Sequence, residues 1–218
     1  MENLSVYCLK YGEGWLPESM IFPLGSAEKS TPISFAIYLI KTKSRNILVD
    51  AGCDHMPEFP TKEFTSPSTV LKEVGLAPSD ITDVIITHSH SDHIEAIKYF
   101  KRAILYITKP ELERGKEYIP PEMTVCTFEK AFALDEKIVI REIGGHSTGS
   151  AVVEVIADDG IHVFCGDECY TEENIKKGIP TGTSENEEKS RSFIEKYSDG
   201  RYIVHTCHDI SIKTQKII

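Results

Sequence analysis

The chain has 218 residues, 40% of them hydrophobic, and this length and composition suit one domain spanning residues 1–218. Its formal net charge of -10 and pI near 5.3 argue against a nucleic-acid partner, because contact with phosphates requires a basic surface. No apolar run approaches membrane-spanning length, so we expect no membrane partner. The start of the chain lacks the apolar core of a secretory signal, and we therefore expect a cytoplasmic protein.

The six cysteines are expected to be reduced thiols, because disulfides are rare in the cytoplasm. Three of them, Cys53, Cys169 and Cys207, adjoin segments that contain candidate site residues. For these three we predict burial as small apolar side chains rather than metal ligation or redox sensing.

The first quarter of the chain predicts mostly strands. A strand over residues 4–11 is followed by a segment punctuated by Gly and Pro, residues 12–32, which predicts an irregular connection. The apolar side chains from Trp15 to Leu24 either fold back on the core or line the mouth of a pocket. Residues 33–40 and 47–49 are apolar and rich in β-branched side chains, and they predict a hairpin of buried strands.

The rest of the chain alternates between helical and strand patterns. Ser66 and Pro67 are typical of the start of a helix, which we expect to end at Gly75. Further helices are predicted over residues 93–100, 111–117, 171–177 and 184–197. Strands are predicted over residues 83–87, 103–108, 124–128, 137–143, 152–156, 161–165 and 202–206. This order predicts an α/β architecture of two stacked sheets with helices outside.

Four residues of types that commonly bind metals lie together directly after a predicted strand: His88, His90, Asp92 and His93. Alternate residues of an extended segment point the same way, so His88 and His90 can face one ion. Asp92 and His93 can reach a second ion where the chain turns into a helix. Histidines on a loop are often only solvated, but four ligand-type residues within six positions indicate a metal site.

The segment from His88 to His93 resembles the HxHxDH signature of the metallo-β-lactamase-fold hydrolases. The resemblance covers nearly the whole chain and implies an αββα sandwich of two mixed β-sheets flanked by helices. It also implies three further metal ligands, which follow in the family's order as His146, Asp167 and His208.

Within that family, the chain is most similar to the N-acyl-homoserine lactonases. Tyr170 follows Asp167 by three residues, and Cys207-His208-Asp209 stands where those enzymes have a closing Gly-His-Asp. His205 lies on the same predicted strand and is an alternative to His208 as the last ligand. The resemblance favours His208.

Three other residues have more than one interpretation. The resemblance implies that Asp50 supports the metal loops by accepting the spare N–H of a ligating imidazole, although an Asp at a strand end also caps turns. His55, on the loop after Asp50, could reach the site, but a solvated position is expected. His162 is predicted to be an ordinary surface or partly buried residue.

The proposed ligands divide between two ions. Asp167 bridges them, and the other six separate into two sets: His88, His90 and His146 for the first ion, and Asp92, His93 and His208 for the second. The predicted cofactors are two divalent metal ions, zinc in the first instance, with iron, manganese and cobalt as alternatives. Two such cations and two carboxylates leave a positive site that makes hydroxide available near neutral pH.

This site predicts an enzyme, a hydrolase that attacks a carbonyl ester with metal-bound hydroxide. Asp92 can also pass a proton to the leaving alkoxide. By resemblance, Tyr170 donates a hydrogen bond to a lactone oxygen, and the alternative for Tyr170 is a core residue at the start of a helix. The expected partner is a small-molecule ester or lactone of the N-acyl-homoserine lactone type, and a homodimer is left open.

Two alternative functions stay open. A glyoxalase-II-like thioesterase, or another small metallo-hydrolase, uses the same ligands. Such thioesterases typically add a C-terminal helical portion, whereas this chain has ten residues after His208. A non-catalytic metal-binding protein is the alternative of another class, although a structural zinc site normally closes with four ligands.

Overall fold

The computed structural model describes residues 4–56 and 59–218. Eight of the strands in this part of the chain form a first sheet: β1 (Ser5–Pro17), β2 (Ser30–Lys41), β3 (Asn46–Val49), β4 (Thr61–Lys62), β5 (Asp83–Ile85), β6 (Ile104–Thr108), β7 (Thr124–Phe128) and β13 (Gln215–Lys216). Five form a second sheet: β8 (Ala131–Ala133), β9 (Ile138–Glu142), β10 (Ala151–Ala157), β11 (Gly160–Phe164) and β12 (Tyr202–His205).

The α-helices of the described residues are short, except for the last. They are α1 (Glu18–Ile21), α2 (Pro67–Val70), α3 (Ser91–Ile94), α4 (Lys109–Gly115), α5 (Glu172–Lys177) and α6 (Glu187–Tyr197). Turns of 3-10 helix cover Leu71–Val74, Pro78–Asp80, Glu95–Phe100, Lys116–Tyr118 and Gly166–Glu168. None of these helices has both the length and the apolar character needed to cross a membrane.

Both sheets are mixed. The first has the strand order β13-β1-β2-β3-β5-β6-β7, with β4 paired to β1, and its strands are antiparallel as far as β3 and parallel from β3 to β7. The second has the order β12-β11-β10-β9-β8, in which only β11 and β12 run parallel. The two sheets stack with helices on the outside, so the αββα sandwich predicted from the sequence is confirmed.

Three apolar clusters account for the layers. One packs between the two sheets and includes Ile40, Ile140 and Phe164. A second lies between the first sheet and its helices, and a third lies between the second sheet and α6. Because both faces of the central strands are covered, residues 33–40 of β2 are all buried, which explains the continuous apolar run there.

The prediction of an irregular connection over residues 12–32 was wrong. The first strand continues to Pro17 and the second already begins at Ser30, so the two form one long hairpin. A register shift between Lys10 and Gly12 accommodates the first glycine, and Gly14 allows close packing, since a Cβ there would lie 2.7 Å from the Phe35 ring. Cross-strand pairing therefore outweighs the turn-forming tendency of these residues.

Other differences are smaller. The helix predicted from residue 93 begins at Ser91 and becomes 3-10 after Ile94, and the helix predicted from residue 184 begins at Glu187. The sequence did not predict the short strands β4, β8 and β13, each of two or three residues. The predicted helix stop at Gly75 is confirmed, because Gly75 has the left-handed conformation with φ 72°.

We expect Phe164→Ala to lower the free energy of unfolding by about 3–5 kcal/mol, because it empties space in the inter-sheet core. The Phe164 ring is fully buried, with its centroid 4.7 Å from that of Tyr38. Ile156→Ala is the control: Ile156 lies on β10 but is 45% exposed, so the change should stay within about 0.5 kcal/mol. Urea denaturation measures both, and equal losses would contradict this core.

Candidate dinuclear metal centre

The seven residues predicted to bind metal all lie on segments that follow strands, at one edge of the sandwich. His88 and His90 are on the loop after β5, and Asp92 and His93 open α3. These four follow the first sheet, whereas the other three follow strands β9, β11 and β12 of the second sheet, namely His146, Asp167 and His208. The structure therefore brings together residues from both sheets.

The first cluster consists of three imidazoles and one carboxylate oxygen. Nδ1 of His90 lies 3.0 Å from Nε2 of His88 and 3.0 Å from Nε2 of His146. Oδ2 of Asp167 lies 3.5 Å from each of those two Nε2 atoms. All four ligand atoms are within 4.8 Å of one another. One divalent cation about 2.0–2.2 Å from each atom fits this spacing.

The second cluster uses the other oxygen of the same carboxylate. Oδ1 of Asp167 lies 3.1 Å from Nε2 of His93 and 3.1 Å from Nε2 of His208. Oδ2 of Asp92 lies 3.5 Å and 3.4 Å from those same two nitrogens. Asp167 thus has one oxygen in each cluster, the arrangement of a bridging ligand.

Cys207 adjoins the second cluster. Its sulfur lies within 4.8 Å of the ligand atoms of His93, Asp167 and His208, and its thiol donates a hydrogen bond to Oδ1 of Asp167 over 3.4 Å. Burial and the nearby carboxylates raise the pKa of this thiol well above its usual range, which favours the neutral donor. Cys53 and Cys169 are also buried.

The protonation of the ring nitrogens fits a divalent cation. Nε2 of His93 is buried and has no hydrogen-bond partner, while Nδ1 of the same ring lies 2.8 Å from Oδ2 of Asp50. Nδ1 of His208 donates to the carbonyl oxygen of Ser34 over 2.9 Å. In both rings Nδ1 therefore carries a proton, and Nε2 is the nitrogen directed at the cluster, where its lone pair could bind a cation.

Asp50 holds His93 in place. Its carboxylate accepts hydrogen bonds from the backbone N–H of Thr87 at 2.8 Å, from the Thr87 hydroxyl at 3.0 Å and from Nδ1 of His93. Asp50 adopts φ 64°, a conformation that is rare for a residue other than glycine. The structure favours the supporting role of Asp50 over a simple turn cap.

Two further buried carboxylates hold the ligand loops, and the sequence did not predict them. Glu111 accepts hydrogen bonds from the backbone N–H and hydroxyl of Ser89, from the Ser147 hydroxyl and from the N–H of Gly149. It thereby ties the loop of His88 to the loop of His146. Glu168 accepts the backbone N–H groups of residues 145 and 146 and the hydroxyl of residue 150.

Burial and the neighbouring charges shift the pKa values of several cluster residues in different directions. Burial lowers the pKa of His88 well below its usual range and that of His146 to about 4. Burial acts in the same direction on His93, but nearby carboxylates, led by Asp167, hold the pKa of His93 well above its usual range. Burial favours a neutral Asp167, yet the surrounding imidazoles keep its pKa well below the usual value.

A cleft of about 420 Å³ opens above the clusters. One wall is apolar and is formed by Leu16, Met20, Phe35, Met56 and Phe59. The open question about Trp15 to Leu24 is thereby answered in part, since residues 16 and 20 line this cleft and Ile21 is buried in the core. The lining also includes polar side chains, among them those of Arg114 and Glu117.

Tyr170 lies between the cleft and the clusters. Its ring centroid is 5.9 Å from that of His146 and 5.2 Å from that of His208, and the residue is 4% exposed. Its hydroxyl is 3.1 Å from Oγ1 of Thr183. Tyr170 packs against the apolar core and also lines the cleft.

The remaining histidines lie outside both clusters. His205, the alternative last ligand, points its Nε2 at Nδ1 of His162, 2.8 Å away, and burial lowers its pKa to about 4. His162 is 2% exposed and contacts Asp159, so the prediction of a surface or partly buried residue was wrong. It is covered because β11 lies between β10 and β12. His55 is exposed, as expected.

A family model described as the metallo-beta-lactamase superfamily matches residues 34–208. The chain belongs to this superfamily. The matched range includes all seven predicted ligands, from His88 to His208. The family identified from the HxHxDH segment is thus confirmed, and membership supports a hydrolase.

Individual members of the superfamily agree with this result. A probable metallo-hydrolase of Methanocaldococcus jannaschii is 32% identical over 148 residues, 68% of this chain and 66% of that protein, just under two thirds of its length. An N-acyl homoserine lactonase of Bacillus thuringiensis is 24% identical over 202 residues, 80% of each chain. A solved N-acyl homoserine lactone hydrolase, with N-hexanoyl-L-homoserine bound at its catalytic metal centre, has a TM-score of 0.86 at 22% identity, over 98% of each chain.

The chain is similar in sequence and in fold to members of the lactonase branch of the superfamily. The His/Asp clusters of the described residues, together with membership of the superfamily, support a divalent metal site in this chain.

We expect Asp50→Asn to weaken metal binding about 10- to 100-fold. The variant loses the negative charge next to His93, and its amide N–H₂ would face groups that now donate hydrogen bonds to the Asp50 carboxylate. Competition with a chelator measures the affinity. Asp158→Asn, at an exposed turn, is the control and should bind metal as the wild type does. Equal affinities for all three proteins would contradict the role of Asp50.

We expect Glu111→Gln to lower the free energy of unfolding by about 1–3 kcal/mol, because an amide N–H₂ would face two donors. Burial acts to raise the pKa of Glu111, but its hydrogen bonds hold it below the ordinary 4.5. The stabilisation is therefore complete above that value and is lost as the pH falls through the lower folded pKa.

The gap between wild type and Glu111→Gln should accordingly shrink as the pH falls below 4.5. Urea denaturation at neutral and at acidic pH measures this gap. Glu113→Gln, on the same helix but exposed, is the control. A gap that is independent of pH would exclude an ionised Glu111 as its source.

Proposed function

We propose that this chain is a metal-dependent hydrolase with two divalent ions, and that it opens a lactone of the N-acyl homoserine type. The observation on which the proposal rests is the pair of His/Asp clusters joined by Asp167 beneath a half-apolar cleft. The names of the lactonase relatives and the product bound in one of them support the choice of reaction. We also propose that residues 1–218 act as one domain, because both sheets contribute ligands.

The first ion would be held by His88, His90 and His146, the second by Asp92, His93 and His208, with Asp167 shared. When bound, such ions lower the pKa of coordinated water and polarise the oxygen of an ester carbonyl. We propose zinc, since imidazole and carboxylate ligands suit it, and iron, manganese and cobalt are the alternatives.

Asp92 has two roles in this proposal. One is to bind the second ion through Oδ2, and the other is to move a proton to the alkoxide that leaves when the ring opens. Asp92 lines the cleft and its side chain is 12% exposed, so it can reach a bound substrate as well as the cluster. Asp92 accordingly belongs to both the catalytic and the metal-binding sets.

Tyr170 would donate a hydrogen bond to an oxygen of the lactone. Burial, together with the charge of Asp167, raises the pKa of its phenol well above the usual range, so the group keeps its proton at neutral pH. A fixed neutral donor next to a developing negative charge stabilises the transition state more than the ground state. The apolar wall of the cleft would hold the acyl portion of the substrate.

The proposal also covers the partner of the protein. We propose a small, uncharged ester or lactone as the partner, with no nucleic acid, because the surface carries a formal net charge of -10. A cytoplasmic location and a homodimer stay predictions.

The proposed function is tested by elemental analysis combined with a pH-stat assay on a panel of homoserine lactones, with a thioester as comparison. We expect two metal ions per chain and lactone turnover. Tyr170→Phe should keep the metals but lower kcat about 10²-fold, the cost of losing one hydrogen bond to a developing oxyanion. Tyr202→Phe, far from the cleft, is the control and should match the wild type.

Each other result has a distinct meaning. Metal binding with thioester turnover alone would replace the lactonase by a glyoxalase-II-like thioesterase. Metal binding without turnover of any ester would favour a non-catalytic metal-binding protein. Full activity in Tyr170→Phe would leave a lactonase in which Tyr170 is a packing residue.

A further inference from the structure

Residues 180–186, which we call the strap, connect α5 to α6 and pass beside the cleft. The N–H of Gly182 donates to the carbonyl of Met20 over 3.0 Å, and a Cβ at position 182 would lie 1.9 Å from the carbonyl oxygen of Ser19. On its other side, the N–H of Glu185 donates to the carbonyl of His146 over 3.1 Å. The strap is thereby fixed between α1 and the loop of a proposed metal ligand.

Further contacts hold this end of the strap. The Glu185 carboxylate accepts the backbone N–H of Thr148 over 2.9 Å and pairs with the Arg114 guanidinium at 2.9 Å. The N–H of Asn186 donates to the carbonyl of Gly145 over 2.9 Å. A side chain in the middle of the strap therefore has a defined position relative to the clusters.

Thr183 is the strap residue that faces the site. Its Oγ1 lies 3.1 Å from the Tyr170 hydroxyl and 3.4 Å from Nδ1 of His146, and the residue lines the cleft. One hydroxyl thus contacts both a proposed metal ligand and the proposed substrate donor. Thr183 lies outside both the segment from His88 to His93 and the segment Cys207-His208-Asp209.

The direction of these hydrogen bonds follows from the chemistry of imidazole. Nε2 of His146 faces the first cluster, so a neutral ring that binds an ion there has its proton on Nδ1. Nδ1 then donates to Oγ1 of Thr183. The Thr183 proton cannot point back at Nδ1–H, and the acceptor within reach among the described contacts is then the oxygen of Tyr170. The Tyr170 proton is left free to point into the cleft.

One of the alternative directions is incompatible with this ligand set. If the Thr183 proton pointed at Nδ1 of His146, that nitrogen would accept the hydrogen bond. A neutral imidazole that accepts at Nδ1 has its proton on Nε2, and Nε2 could not bind a cation.

We infer that Thr183 is a positioning residue, which fixes the tautomer of His146 and orients the hydroxyl of Tyr170 toward the substrate. The inference rests on the proposed function and deepens it by a residue outside the ligand set. This role requires a hydroxyl at position 183. Ser at this position should therefore retain the role of Thr183, whereas Val, which has the same shape but no hydroxyl, should not.

The test compares Thr183→Val and Thr183→Ser with the wild type in two assays. In the first, which needs no substrate, metal-loaded protein is mixed with a chelator, and we expect the Val variant to lose the first ion about 10- to 100-fold more readily. In the second, kcat and kcat/KM on a homoserine lactone should fall together in the Val variant, because the oriented hydroxyl acts in the transition state. The Ser variant should retain wild-type behaviour in both.

A double variant tests the link to Tyr170. With metal supplied in excess, so that the effect through His146 is saturated, adding Thr183→Val to Tyr170→Phe should leave kcat at the value of Tyr170→Phe, because the remaining effect acts through the same donor. Thr181→Val is the matched control: its hydroxyl contacts Ser184 over 3.1 Å within the same strap and touches neither His146 nor Tyr170. It should retain metal as the wild type does.

The outcomes separate the inference from the proposed function. If Thr183→Val loses metal and turns over lactone as the wild type does, the inference is overturned, but the proposed lactonase function is not affected. Absence of lactone turnover in the wild type would overturn the proposed function, and the chelator assay would then decide on the tautomer of His146. Equal defects in Val and Ser, or in Thr181→Val, would show that the strap acts only by its shape. Thr183→Ala serves instead if the Val variant does not fold.

Discussion

Asp167 places a carboxylate between two groups of imidazoles, with one oxygen directed at each group. The group is 3% exposed, and a buried charge of this kind costs several kcal/mol unless positive or donating partners surround it. Four imidazoles, on segments that follow three different strands, converge on its two oxygens and supply such partners. The Asp167 carboxylate therefore finds its partners only when β5, β9, β11 and β12 are all in their correct relative positions.

The same constraint explains why so many acidic side chains near the site are buried. Asp50, Glu111 and Glu168 each accept hydrogen bonds from the ligand segments or from the loops next to them. Carboxylates suit this task because one such group accepts several N–H and O–H bonds at once. The ligands therefore keep their positions through a layer of acceptors, and Thr183 belongs to the same layer on the cleft side.

The sequence predicted the parts of this centre that are local. His88 to His93 form a continuous segment whose spacing indicates metal binding, and the ends of strands could be located from apolar runs followed by glycine or polar residues. Glu111 could not be recognised, because a Glu in a short charged helix is usually solvated and only the tertiary fold brings it against Ser89 and Ser147. Thr183 was missed for a similar reason, since its partners are 13 and 37 residues away.

The fold shows the same division between local and distant signals. Strands with buried runs, such as β2 and β10, were found from composition alone. The extension of β1 to Pro17 was not, because Gly12 and Gly14 weaken a strand by themselves and only pairing with β2 holds them extended. The burial of His162 likewise depends on its neighbouring strands rather than on its own sequence context.

The division of the ligands between two sheets has a thermodynamic consequence. Neither sheet supplies a complete cluster by itself, so ions would bind only when both sheets are docked, and each ion would then act as a cross-link across the sandwich. A ligand that binds only the folded form adds about 2.7 kcal/mol at a free concentration one hundred times its dissociation constant. Loss of the metal would then lower the stability of the folded protein as well as its activity.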